Sequence, residues 1–307
     1  MVKCNFLKDC SEIDQSKFKT ENWYLMGWGM GDGLNATLFL ESQSPVPYKI
    51  LCPPRNFNGV KFILDNFVVG EPKCTQVDVY PLQDGYPVDQ DTVLMSKHGF
   101  GPQSVGTAHN LGQLKVVHYP PKDWFKVQDL EGSGILKKIQ DYDNVQKTIK
   151  EKTCILFPER GDSYQLPDEF WNTIVSKLKE KGYKVYVNWT KKTDVFKNQK
   201  IFEGTEKLDR LEIQELFDFV IKHENIITLG QKAGIFDFLK YLEHKKIVFY
   251  ADVDYDTMPD PSRSIYEWCN LEEDSNTRNN IEIRLSKYDS GDLDLIIDCD
   301  ENRSILW

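Results

Sequence analysis

The sequence predicts an α/β protein: two consecutive doubly wound layers, each a parallel sheet covered on both faces, with a cleft between them. Three observations carry this. Short apolar strands alternate with amphipathic helices twice along the chain. The 307 residues are about twice the modal domain length. Each half also holds one glycine-bearing turn between a strand and a helix.

The elements follow in order. Residues 23–28 are an apolar run that ends in Gly27, Gly29, Gly31 and Gly33, after which residues 34–40 begin a helix. Tyr48–Cys52 reads as a strand stopped by Pro53 and Pro54; a helix over 58–66 places Val60, Ile63, Leu64 and Phe67 on one face. Residues 77–80 and 92–95 are further short strands, whereas 97–130, rich in Gly, Pro and His, carry no period and read as loop. Residues 134–152 show a weak helical period (Ile135, Leu136, Ile139, Val145, Ile149) that suits a connector.

A second cycle opens with strand Thr153–Phe157, stopped by Pro158. Pro167 then starts a helix with Asp168 and Glu169 in its first turn, Phe170, Trp171, Ile174, Val175 and Leu178 at helical spacing, and Gly182 at its exit. Strand 183–188, helix 211–223 (Ile213, Leu216, Phe217, Val220), strand 226–229, helix 235–242 and strand 246–250 complete it. Beyond 262, residues 281–285 alternate like a strand and 293–297 fit either state. The predicted division is 1–150 as a first lobe with connector, 151–262 as a second lobe, and 263–307 as an acidic tail packing back on the lobes.

Composition narrows the function classes. Forty per cent apolar residues exclude a disordered chain, and a net charge of −10 argues against nucleic acid as a partner. No apolar run reaches the ~18 residues of a membrane span, and Met1 leads into Lys3 and Lys8 rather than a signal-peptide core, so a cytoplasmic protein is expected. The seven cysteines form no C-x-x-C pair and read as reduced thiols. Charge is uneven: residues 177–200 hold eight lysines and 271–301 ten acids, read as two solvated faces, with the lysines a possible contact for the inner membrane leaflet.

Ligands of such sheets sit beyond the carboxyl ends of the strands. In the first half, Gly29-Met30-Gly31-Asp32-Gly33 places a carboxylate there, able to take a proton from a hydroxyl or, equally, to cap the next helix. In the second, Gly230-Gln231-Lys232-Ala233-Gly234 offers amides and a cation at a helix start, suited to a phosphate or simply to a tight connection. Arg160, just past Phe157-Pro158, stands on the same edge; it suits a pyrophosphate, or a pairing with Glu159 or Asp162.

Three of these stretches resemble the heptosyltransferase-like glycosyltransferases of family 9. They are Trp28 to Gly33; Phe157-Pro158-Glu159-Arg160 with Leu166-Pro167-Asp168-Glu169-Phe170-Trp171 and Lys181-Gly182-Tyr183; and Gly230 to Gly234. The resemblance runs through short motifs over residues 23–250. It implies a GT-B architecture of two Rossmann-like lobes facing a central cleft, with the acceptor on the first, a nucleotide-diphosphate sugar on the second, and no metal or other cofactor. Asp32 maps to the catalytic base. Gly31, Gly33, Arg160, Gly230, Gln231, Lys232, Ala233, Gly234 and Asp237 map to the donor site. Two departures stand out: Tyr164, Gln165 and Leu166 replace the lysine that relatives carry before the proline, and Lys232-Ala233-Gly234-Ile235-Phe236-Asp237 replaces Asp-Thr-Gly-x-x-His. The donor is therefore expected to differ from the usual one.

The expected activity is transfer of a sugar to a hydroxyl of a bacterial surface glycan, lipopolysaccharide or capsule, on a free or lipid-linked acceptor. The alternatives are a nucleotide-sugar epimerase on the same frame and a non-catalytic glycan-binding protein. Asp252-Val253-Asp254 looks like the metal site of the GT-A architecture, but it follows two complete α/β cycles instead of lying mid-domain. His98, His109, His118, His223 and His244 show no ligand spacing; His98 and His109 fall where acceptor contacts are expected.

Overall fold

The computed structural model describes residues 4–6, 23–26, 48–52, 59, 62, 77–81, 109–111, 114–117, 145–158, 166–188, 202–208, 211–240, 242–250, 279–285, 288–289, 292–298 and 303–306. The chain divides into two compact units, Met1–Ile139 with Trp268–Asn270, and Gln140–Glu267 with Leu271–Trp307.

The first unit contains a six-stranded sheet: β1 (Cys4–Phe6), β2 (Trp23–Met26), β3 (Tyr48–Cys52), β4 (Val77–Pro81), β5 (His109–Leu111) and β6 (Leu114–Val117). Their order is β1-β4-β3-β2-β6-β5, parallel except where β5 pairs antiparallel with β6. β2 is an interior strand, flanked by β3 and β6, and the strand order reverses between β2 and β6. Gly59 and Phe62, within the predicted helix 58–66, are helical and buried. Two corrections arise here. Residues 109–111 and 114–117 are not loop but a pair of antiparallel strands, and β1 was not foreseen. Strands of three or four residues, broken by Asn110 and Lys115, are too short to show a period of two. The predicted strand 92–95 lies outside the described residues.

The second unit is built on a seven-stranded, wholly parallel sheet ordered β13-β12-β11-β10-β7-β8-β9. The strands are β7 (Thr153–Phe157), β8 (Lys184–Asn188), β9 (Glu206–Leu208), β10 (Ile226–Gln231), β11 (Lys245–Tyr250), β12 (Asn280–Arg284) and β13 (Arg303–Leu306). The helices are α1 (Asp168–Glu180), α2 (Ile213–Ile221), α3 (Gly234–Leu239) and α4 (Leu293–Asp298). β7, β10 and β11 are interior and nearly continuous in apolar residues, as a strand covered on both faces must be.

Side-chain alternation sorts the helices onto two faces. Cys154, Leu156, Val185, Val187, Leu229, Ile247, Phe249 and Ile283 join Trp171, Ile174, Val175 and Leu178 of α1 and Leu293, Ile296 and Ile297 of α4 in one core. On the opposite face, Tyr186 meets Phe219 of α2 with ring centroids 5.6 Å apart, and Phe157 meets Phe236 of α3 at 5.5 Å. α1 ends as its sequence predicts: Gly182 has φ +80°, its amide donates to Lys179 O (2.9 Å), and the Tyr183 amide donates to Leu178 O (3.0 Å). α2 starts from a capping box, in which the Glu212 amide donates to Glu215 Oε2 at 2.8 Å.

The structure differs from the sequence reading in four places. Residues 145–152 are not helical; they run alongside α2's exit, with the Thr148 and Ile149 amides donating to Lys222 O and Ile149 bridging to His223. β10 continues through Gly230 and Gln231, which the glycine had suggested were turn. α3 ends at Leu239 rather than 242. The segment read as an acidic tail supplies two strands of the sheet, β12, where the alternation over 281–285 suggests one, and β13, which had no signal, with helix α4 between them.

Candidate functional site

The strand order of the second sheet reverses between β7 and β10. From β7 the chain passes to α1 on one face, and from β10 to α3 on the other. Connections that part to opposite faces leave a crevice at the carboxyl edge, where open α/β sheets bind ligands. Arg160 lies three residues beyond the end of β7, outside the described residues. Lys232 directly follows β10.

The second-half glycine turn resolves into two parts. Gly230 and Gln231 belong to the ladder, Gly230 opposite Phe157 and Val248, Gln231 opposite Phe249. A Cβ on Gly230 would stand 2.7 Å from Phe157 Cβ and closer still to its carbonyl oxygen, so the glycine is required by the approach of β7. Gln231 is buried, and the Lys232 amide donates to Phe249 O at 2.9 Å. The turn itself is Lys232-Ala233, with Gly234 the first residue of α3. Ala233 is the N-cap, without a side-chain cap bond, and the Phe236 amide already closes on Ala233 O (3.0 Å). The amides of Gly234 and Ile235 come before any i−4 carbonyl of the helix. Asp237 lies within α3.

An aromatic cluster underlies this edge on the α1 face. Phe170 in the first turn of α1, Phe249 near the end of β11, and Tyr288 beyond β12 meet edge to face, with centroids 5.1, 5.6 and 5.2 Å apart. The buried Tyr288 hydroxyl has no hydrogen-bond partner among the described residues; burial, with Asp292 and Asp289 nearby, pushes its pKa up to about 12. On the other face Tyr250 donates to Glu282 Oε1 at 3.1 Å.

The remaining predicted residues are dispersed. Gly31, Asp32 and Gly33 follow in sequence the carboxyl end of β2, the strand beside the first sheet's own order reversal, and lie outside the described residues. His109 is in β5; His98 and His118 lie outside the described residues, as do Asp252 and Asp254. Among the described residues no three His, Cys, Asp or Glu side chains gather to hold a metal ion. Cys154 is a free, fully buried thiol whose pKa burial raises, in keeping with a structural cysteine. His223 and His244 come to the amino edge of the second sheet, the edge opposite the crevice. Sequence reasoning had no signal for this, because neither shows a spacing pattern.

The charged segments are also placed. Lys177 and Lys181 pair with Asp294 at 3.0 and 3.4 Å, and Lys181 with Asp298 at 2.7 Å. The bond to Asp298 raises the Lys181 pKa, and the bond from Lys177 lowers that of Asp294. Lysines and acids read as two separate solvated faces thus meet in part on α1 and α4. No helix among the described residues is long and apolar enough to cross a membrane.

No protein-family model and no curated protein sequence matches the chain. Among solved structures, E. coli heptosyltransferase WaaC with ADP is similar at 12% identity and a TM-score of 0.50, covering 91% of this chain and 97% of that one. E. coli heptosyltransferase WaaC with ADP-2-deoxy-2-fluoro heptose is similar at 11% identity and a TM-score of 0.46, over 82% and 98% of the two chains. The first of these likenesses extends to the fold, a glycosyltransferase-like α/β fold with parallel sheets.

Proposed function

We propose that the protein is a GT-B glycosyltransferase that moves a sugar from a nucleotide-diphosphate donor to a hydroxyl of a bacterial surface glycan, without a metal. The observation that carries the reading is the likeness to the ADP-bound heptosyltransferase over nine-tenths of the chain. The crevice between β7 and β10, with Lys232 at its lip, supports it.

In this reading Asp32 accepts the proton of the acceptor hydroxyl as its oxygen bonds to the anomeric carbon of the donor sugar. The bond from that carbon to the phosphate oxygen breaks, and the nucleoside diphosphate departs with the bonding pair. Negative charge grows on the departing phosphates, so the catalytic demand is for preorganised positive charge. Arg160 and Lys232 supply the two cations, Gly31 and Gly33 shape the turn around Asp32, and the backbone amides that remain for phosphate are those of Gly234 and Ile235. Gly230 and Gln231 serve by holding β10 in register, and Asp237 follows in α3.

Release of free nucleotide from a panel of nucleotide sugars tests this. Slow donor hydrolysis that survives EDTA and falls by about 10²- to 10⁴-fold in Asp32→Asn is the expected result. Release that appears only with manganese would move the chemistry to Asp252 and Asp254, and release unchanged in Asp32→Asn would remove the base.

A further inference from the structure

Two helices begin at the crevice of the second sheet, and each is braced by a phenylalanine in its first turn against a strand it does not follow. α3 comes from β10, yet its Phe236 packs on Phe157 at the end of β7, with ring centroids 5.5 Å apart and planes 74° from parallel. α1 comes from β7, yet its Phe170 packs on Phe249 of β11 at 5.1 Å. We propose, on the transferase reading above, that Phe157 and Phe236 are positioning residues of the donor site, acting through Lys232 by fixing the turn that carries it against the end of β7.

The turn is two residues long, Lys232 and Ala233, and it is pinned at both ends. On the strand side the Lys232 amide donates to Phe249 O at 2.9 Å, which carries the β10–β11 ladder one residue past Gln231. On the helix side the Phe236 amide donates to Ala233 O at 3.0 Å, so holding Phe236 in place holds the end of the turn with it. Between two fixed points the lysine keeps its side-chain torsions but little backbone freedom. A cation so restrained loses less entropy when a ligand settles on it.

The anchor on the far side of the contact is equally firm. Gly230 stands opposite Phe157, and a Cβ there would lie 2.7 Å from Phe157 Cβ, so the ends of β7 and β10 meet with no side chain between them. Phe157 is the last residue of β7, and Arg160 comes three residues later. The pair thus ties the turn that holds Lys232 to the strand end from which the chain leaves for Arg160. Both rings are buried, so their effect on a ligand passes through the backbone. An edge-to-face pair fixes direction as well as distance, because the edge and the face of a ring carry opposite partial charge; leucine fills much of the volume without that preference. A diphosphate needs its cations at one spacing, and a misplacement of about 1 Å lowers a rate on the order of 10²-fold.

A double-mutant cycle on nucleotide binding tests the proposal. The tightest binder among ADP, UDP, GDP and CDP is titrated by calorimetry into the wild type, Phe236→Leu, Lys232→Ala and the double variant. Phe236→Leu should weaken binding about tenfold in the wild-type background and change nothing where Lys232 is already alanine, because the cation being positioned is gone. Ile174→Val, a truncation in the core under α1, shows what loosened packing alone does and should leave the affinity unchanged. Phe157→Leu reaches the same contact from β7 and carries the test should Phe236→Leu fail to fold. Equal loss in both backgrounds, or full affinity in both phenylalanine variants, would overturn the positioning role and leave the donor site standing. A wild type that binds none of the four diphosphates would remove the donor reading, and the positioning role with it.

Discussion

The two faces of the seven-stranded sheet bury side chains of different kinds. The face under α1 and α4 is closed by Trp171, Ile174, Leu178, Leu293, Ile296 and apolar strand residues, with Gln231 its buried polar side chain at the end of β10. The face toward α2 and α3 buries Thr228, Lys246, Asn280 and Glu282 beside its aliphatic residues. There most of the polar groups are answered: Thr228 by His244, Lys246 by Leu242 O, Asn280 by Lys240 O, and Glu282 Oε1 by Tyr250, while His244 Nδ1 has no hydrogen-bond partner among the described residues. The apolar face resists disturbance through area and packing. The polar face holds only while each donor keeps its acceptor, which makes it sensitive to proton concentration.

The sharpest break of this contrast is Trp171→Ala. The side chain is 1% exposed at the centre of the apolar face, and its loss should destabilise the protein by about 3–5 kcal/mol in urea unfolding. Next comes Gly230→Ala, where the added methyl meets the backbone of Phe157, which cannot yield as a side-chain end would. A loss of about 1–3 kcal/mol is expected, with a perturbed near-UV signal from Phe157 against Phe236. Failure of that substitution to destabilise would return Gly230 to the role of a turn glycine.

The smallest effect separates the faces by pH. His223 and His244 titrate lower in the folded protein than the ordinary 6.5. Below that value the unfolded chain takes up protons that the folded chain refuses. Stability is therefore complete above about pH 6.5 and falls as pH drops below it. Thermal midpoints measured from pH 7.5 to 5 should decline, and His244→Phe should flatten the decline. A wild-type profile level over that range would mean that the polar face accommodates the protons.

These contrasts also explain what the sequence made legible. Apolar stripes wrote their period plainly on both faces: Trp171, Ile174, Val175 and Leu178 gave α1 on one, and Ile213, Leu216, Phe217 and Val220 gave α2 on the other, all of them buried. Where a residue has two explanations, local pattern chose the wrong one. Gly230 signals a turn in any short window, and only the neighbouring strand β7, more than seventy residues earlier, shows it to be a packing glycine. β13 was missed because a four-residue strand carries almost no period, and its pairing with β12 is invisible locally. Of the candidate site, the crevice edge follows from strand order, and Lys232, Ala233 and Gly234 come just past β10. The grouping of His223 with His244 depends on α2 ending beside the start of β11, a relation that no spacing encodes.

The ion pairs between α1 and α4 bear on the time course of folding. Lys177 and Asp294 lie 117 positions apart, and β7 completes its pairing only when β10 arrives from far along the chain. A sheet whose first strand sits in the middle closes through large loops, and each loop loses entropy before its contacts form. Refolding of the second unit is therefore slow for its size.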